Sequence, residues 1–205
     1  MSRRLDRSLK RRPPFREPKY RILVVCEGKR TEPQYFRDLK NHLRNPRVHV
    51  ETMGPAGVPR TVVEVAIHMR NEAGDEATRE HDDNIRWDEV WAVFDVDDHP
   101  GLETARQLAK ANGIELAVSN PCFELWALLH FTEHRSHIER KSLRKTLQKH
   151  LPGYDKALDF PKMNAGYGDA VGRAMDLDAE ALRHESPGRN PTTGVYRLTE
   201  AIRTK

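Results

Sequence analysis

Two short runs of β-branched and aliphatic residues, each ending in carboxylates, constrain this chain more than any other feature. The first is Tyr20-Arg-Ile-Leu-Val-Val-Cys26, followed by Glu27-Gly28. The second is Glu89-Val-Trp-Ala-Val-Phe94, followed by Asp95-Val-Asp97-Asp98. Runs this short and this apolar suit strands buried on both faces. Amphipathic segments separate them. Thr31 is read as the cap of a helix with Glu32 and Pro33 in its first turn, continuing through Tyr35, Phe36, Leu39 and Leu43. Val48 to Thr52 reads as a weaker strand, Gly54 to Pro59 as a loop, and Thr61 onward as an amphipathic helix. Residues Asn71 to Asp83 are dense in charge and read as an exposed connection. Leu102 to Ala111 reads as a helix closed by Gly113, and Ile114 to Val118 as a fourth strand. Asn120-Pro121 reads as an N-cap with proline at the first helical position, opening a helix through Phe131.

That alternation predicts an α/β fold with a mostly parallel sheet of about four strands flanked by helices. Three regions are expected. Residues 1–19 form a basic flexible tail, residues 20–134 the α/β domain, and residues 135–205 a helical C-terminal extension packed on the same domain. Two Gly/Pro-rich breaks, Asn164 to Asp169 and Ser186 to Pro191, interrupt the extension. The second break suits a cap on the last helix or a phosphate contact.

The 205-residue chain carries a net charge of +4, and its location matters more than its size. Eight basic residues against Asp6 and Glu17 give the first nineteen residues +6, which leaves −2 for the remainder. Such a run, with Arg11 and Arg12 at its centre, suits either a polyanion such as DNA or RNA or a solvated extension. No apolar run approaches the ~18 residues that a membrane span needs, and no signal-peptide pattern stands at the start. Only two cysteines occur, Cys26 and Cys122, so no disulfide framework is implied and the cytoplasm is the expected compartment. Both are read as buried packing.

In a parallel α/β sheet, functional groups gather beyond the carboxyl ends of the strands. Alternation places Asp95 and Asp97 on one side of an extended segment, with Glu27 facing them if the two strands are neighbours. Clustered carboxylates repel unless a cation neutralises them, and hard oxygen donors suit Mg²⁺ or Mn²⁺. Glu27, Asp95 and Asp97 are therefore the expected metal-binding and catalytic residues. Gly28 would let the backbone approach a phosphate, with Lys29 beside it. Asp98, Glu124 and Asn120 are secondary candidates. Each has a structural explanation as well: solvation for Asp98, the helix dipole for Glu124, and capping for Asn120. His130, His134 and His137 recur at helical spacing but lack the companions of a zinc motif.

Glu27-Gly28 and Asp95-Val-Asp97 resemble the signature of Toprim domains. More specifically, the chain resembles the RloB-like family. The matching segments are Val24-Val-Cys-Glu-Gly-Lys-Arg-Thr-Glu-Pro-Gln-Tyr-Phe36, Phe94-Asp-Val-Asp-Asp-His99, Ser119-Asn-Pro-Cys-Phe-Glu-Leu-Trp126 and Asn190-Pro-Thr-Thr193. The resemblance implies a Toprim-like fold and a role in prokaryotic defence beside restriction–modification systems, with partner defence proteins. It implies a metal-dependent nuclease in which Glu27 is a general acid/base or ligand and Asp95 and Asp97 are ligands. No catalytic lysine has a clear counterpart, Lys29 being nearest. The alternative expectation is a sensor or accessory subunit that grips a metal-bound phosphate ligand without catalysis. A primase-like transferase ranks last, since no nucleotide-recognition motif is evident.

Overall fold

The computed structural model describes residues 20–44, 49–53, 58–96 and 101–205. The basic run with Arg11 and Arg12, most of the loop after residue 53, and Asp97 and Asp98 lie outside the described residues.

Four parallel strands form the sheet: β1 (Arg21–Cys26), β2 (His49–Met53), β3 (Glu89–Asp95) and β4 (Glu115–Asn120). A two-residue strand, β5 (Thr192–Thr193), adds antiparallel to the end of β4, giving the order β2-β1-β3-β4-β5. The helices of the sheet region are α1 (Thr31–Leu43), α2 (Pro59–Glu80), α3 (Leu102–Ala111) and α4 (Glu124–Leu129). The C-terminal part contributes α5 (Arg140–His150), α6 (Phe160–Asn164), α7 (Tyr167–Arg183) and α8 (Val195–Thr204).

Strand alternation builds two cores. Ile22, Val24 and Cys26 of β1 face a core shared with Phe36 of α1, Trp126 of α4, Leu143 of α5 and Leu198 of α8. Leu23 and Val25 face the other core, with Val62 and Ala66 of α2 and Ala105 of α3. A strand that buries both its faces has no place for polar residues, which is why its sequence is an unbroken apolar run. The chain leaves β1 towards β2 on one side and later returns to β3 on the other. The strand order therefore reverses between β1 and β3, and a crevice opens at their carboxyl ends.

Four local expectations need correction. Helix α2 runs through Glu80, so the charged stretch from Asn71 onward is a helix with a solvated face, not a connection. Its Ala77 is buried, and the surrounding Glu and Arg residues are good helix formers. Thr31 is the first residue of α1 and not its cap; its hydroxyl donates to the Lys156 carbonyl at 3.1 Å. Asn120 ends β4 and caps nothing: it precedes a cis bond to Pro121, and its amide donates to the Gly188 carbonyl at 2.9 Å. Helix α4 starts only at Glu124. In the last break, Asn190 clamps Ile138, accepting from its N–H at 3.0 Å and donating to its carbonyl at 2.9 Å. Among the described residues no helix is long and apolar enough to cross a membrane.

Candidate functional site

Glu27 follows β1 directly, and its N–H donates to the Val93 carbonyl at 2.9 Å, extending the β1–β3 ladder by one step. That pairing fixes where the side chain emerges. The Glu27 carboxylate accepts a hydrogen bond from the Asp95 N–H at 3.1 Å, across the switch point. Asp95 is the last residue of β3, largely buried, and its carboxylate accepts from the Phe123 N–H at 2.9 Å. Its other oxygen lies 3.6 Å from the Arg140 guanidinium. Burial pushes the Asp95 carboxyl well above the usual carboxylate range; Glu32 adds to this, and Arg140 opposes it.

Glu124 opens α4 and is buried. One of its oxygens accepts from Arg144 Nε at 2.9 Å and from the Tyr154 hydroxyl at 3.2 Å, and Lys156 Nζ is 3.9 Å away. Burial alone would raise this carboxyl. Bonds from the Cys122 thiol and the Glu124 backbone N–H, with the charges of Arg144 and Lys156, outweigh burial and hold it below its ordinary value. Glu32, buried in the first turn of α1, is shifted upward, first by burial and then by the nearby Glu124 and Glu27. Its carboxylate lies on Gly28, where an added Cβ would sit 2.0 Å from the Glu32 Oε2. A side chain at position 28 would have to push the end of the Glu32 side chain aside; the backbone approach to phosphate expected of this glycine is a separate matter.

Together these residues line a cleft of about 370 Å³, with Gly28, Lys29, Arg30, Arg140, Arg144 and Lys156 among its walls. Among the described residues, Asp95, Cys122 and Glu124 could hold a metal ion, since their donor atoms lie within 4.8 Å of one another. The Cys122 thiol is driven upward by burial and by Glu124 and Asp95, so it stands as a neutral thiol beside the carboxylates.

Of the sequence candidates, Glu27, Gly28, Lys29, Asp95 and Glu124 share this cleft. Asn120 is tied to Gly188 instead, and Asp97, Asp98, Arg11 and Arg12 lie outside the described residues. The sequence did not single out Glu32, Cys122 as a donor, or the cations of the C-terminal part. Arg140 and Arg144 stand one helical turn apart on α5, a spacing that puts both on one face and was the available signal. Lys156 carried no such signal; it occupies a left-handed backbone conformation, φ 68°, in the loop after α5. Among the described residues, His130, His134 and His137 make no metal-binding cluster with the acids. His130 is buried, its Nδ1 2.8 Å from the Trp126 carbonyl.

The fold is a mostly parallel α/β sheet with a cleft at its switch point lined by acidic and basic residues, including a possible acidic metal-binding group. The chain belongs to the RloB-like protein family, which it matches over residues 22–202. No curated protein and no solved structure matches it.

Proposed function

We propose that this cleft binds Mg²⁺ or Mn²⁺ and hydrolyses phosphodiester bonds of nucleic acid, as part of prokaryotic antiphage defence. One observation carries the reading: four carboxylates, those of Glu27, Glu32, Asp95 and Glu124, share a single cleft with Lys29, Arg30, Arg140, Arg144 and Lys156. Acids alone would suit a metal, and bases alone an anion. Both together suit an ion that is itself bound to a phosphate.

The donors fit such an ion. Asp95 and Glu124 offer hard carboxylate oxygens, while Cys122 as a neutral thiol leaves the coordination to oxygen. In this reading Asp95 and Glu124 hold the ion, joined by Asp97 from beyond the described residues. Bound there, the ion would polarise a phosphoryl oxygen and lower the pKa of a bound water. Glu27, whose carboxylate accepts from the Asp95 N–H, would accept or return a proton. Arg140 and Arg144, which line the cleft with Gly28 and Lys29, would orient the phosphate. The basic N-terminal run, including Arg11 and Arg12, would follow the rest of the DNA or RNA strand and make binding salt-dependent.

A second reading, phosphate-ligand sensing without hydrolysis, draws on the heavy use of Glu124, whose Oε1 meets Arg144, Tyr154 and Lys156. A carboxylate held this firmly serves as an internal counter-ion as readily as a ligand. The deciding experiment is cleavage of DNA, RNA and tRNA pools with Mg²⁺ and Mn²⁺, beside Asp95→Asn. Metal-dependent hydrolysis lost in the variant supports the nuclease. Retained metal binding with no hydrolysis of any pool supports the sensor.

A further inference from the structure

A second cavity lies on the far side of β4 and takes no part in the acidic cleft. It measures about 530 Å³ and runs along the outer edge of the strand between α3, α7 and α8. Strand β5 covers this edge only at Ser119 and Asn120. Hydrogen bonds show which groups the uncovered part presents. The Ser119 carbonyl accepts from the Val96 N–H, towards β3, while the Val118 carbonyl accepts from the Gly194 N–H, on the outer side. By alternation, Leu116 turns its N–H and its carbonyl outward, as Val118 does its N–H. Among the described residues none of these three groups has a hydrogen-bond partner. An open sheet edge of this kind is a template for another extended chain.

The cavity walls narrow the choice of partner. Leu182 of α7, 64% exposed, stands beside Leu116 and Val118 as an apolar anchor. Arg106 and Lys110, one turn apart on α3, line the same cavity, and neither makes a hydrogen bond or ion pair among the described residues. Arg197 is matched by Asp178 nearby, and Glu115 also lines the cavity but from the opposite face of the strand to Leu116, away from α3. On the α3 side of the strand the unmatched charge is therefore positive.

We propose that the outer edge of β4 docks an extended, acidic segment of a partner protein. The segment would pair with Leu116 and Val118 as an added strand and set its carboxylates against Arg106 and Lys110. A second copy of this chain fits less well, because edge-to-edge pairing brings two sets of the same cations together. A nucleic-acid strand fits less well too: its phosphates offer acceptors to the N–H groups, but only an RNA 2′-OH or a base edge could donate to the Leu116 carbonyl, whereas an extended peptide presents N–H and C=O at the spacing of the strand edge.

The test is selection of short random peptides, displayed on phage, against the full chain, with counter-selection on the Arg106→Glu/Lys110→Glu double variant. The expected winners are acidic with alternating apolar residues, and they bind the double variant about tenfold more weakly. A synthetic winner should slow amide exchange at Leu116 and Val118 by about tenfold, and N-methylation of its alternate residues should abolish binding. N-methylation acts on the peptide alone, so this arm stands even if the double variant folds poorly. The proposal is overturned if no peptide is enriched, or if winners leave the Leu116 and Val118 amides unprotected. It is overturned equally if single-stranded RNA displaces the peptide, or if the free chain sediments as a dimer with those amides already protected.

Discussion

The Glu27 carboxylate bonds to the backbone N–H of Asp95 at 3.1 Å, so the carboxyl ends of β1 and β3 are joined by a side chain as well as by the ladder. This gives the two acids different work. Glu27 spends one oxygen on holding the strand ends in register, and Asp95 presents its carboxylate to Phe123 N–H and Arg140.

Glu27→Gln retains an acceptor for the Asp95 N–H, so the fold should survive it, as it should survive Asp95→Asn. Both variants should lose roughly 100-fold or more of any hydrolysis, for different reasons. Asp95→Asn removes a ligand charge: the metal-induced rise in melting temperature should shrink, and excess Mn²⁺ should restore part of the activity. Glu27→Gln should keep the melting shift and resist rescue if Glu27 moves a proton. Metal titrations of cleavage and melting, run side by side, check this. Full activity in Asp95→Asn would remove the residue from the mechanism.

Gly28→Ala would place a Cβ 2.0 Å from the Glu32 carboxylate, and the acid must move. The expected cost is about 1 kcal/mol, the low end of the range for overpacking, because the atoms met are the far end of a flexible side chain. Because the clash is with one side chain, Gly28→Ala in a Glu32→Ala background should cost almost nothing. A double-mutant cycle by urea denaturation measures this. Additive losses would show that the backbone at position 28, and not its acidic neighbour, demands glycine.

The sequence made the sheet end of the site readable and left its helical wall obscure, for physical reasons. Glu27 and Asp95 stood out because each follows a run apolar enough to be a doubly buried strand, and such strands deliver functional groups at their ends. The cations that balance them arrive from residues 140–156, where Arg140 and Arg144 look like the solvated face of any surface helix. Only the packing of α5 on α4 turns them inward. The expectation that a bound cation must relieve carboxylate repulsion left out this internal balance. Helix α2 shows the opposite case: the charge density from Asn71 to Asp83 reads as an exposed connection, yet the helix runs through Glu80, with i,i+4 contacts such as Thr78 to the Gly74 carbonyl. Strand β5 is two residues long and is specified from afar, by the Ser119–Thr193 hydroxyl pair at 2.8 Å, so no local pattern could announce it.

Arg144→Ala tests whether the helical wall holds the site together. It leaves the buried Glu124 carboxylate with Tyr154 and with Lys156, 3.9 Å away. Losing a partner of a buried charged acceptor costs about 1–3 kcal/mol. The lower end is expected here, because Arg144 is 43% exposed and water can replace part of the bond. Glu124→Gln should restore stability in the Arg144→Ala background, since it removes the negative charge that Lys156 alone is then left to balance. A urea midpoint that does not recover in the double variant would show that Arg144 acts through packing and not through Glu124.

His130 supplies a pH test well separated from the acids of the cleft. Burial lowers its pKa from 6.5 to about 4; Arg203 and Arg173 push the same way, against the hydrogen bond to the Trp126 carbonyl. The ring is therefore neutral in the folded protein at neutral pH, with Nδ1–H donating to that carbonyl and Nε2 buried without a partner. Between pH 6.5 and about 4 the unfolded chain binds a proton that the folded chain refuses. Stability linked to His130 is thus fully present above the unfolded pKa and is lost as pH falls through this window, by about 3 kcal/mol in all. Other groups titrate over the same range, so the useful quantity is the difference between the wild type and His130→Phe, which keeps a flat ring in the same space. Unfolding free energies from urea denaturation at pH 7, 6, 5 and 4 should show the wild-type advantage shrinking by about 3 kcal/mol towards the acid end. An advantage that stays constant with pH would mean that the ring takes up its proton in the folded state as easily as in the unfolded one, and the buried, neutral assignment of His130 would fail.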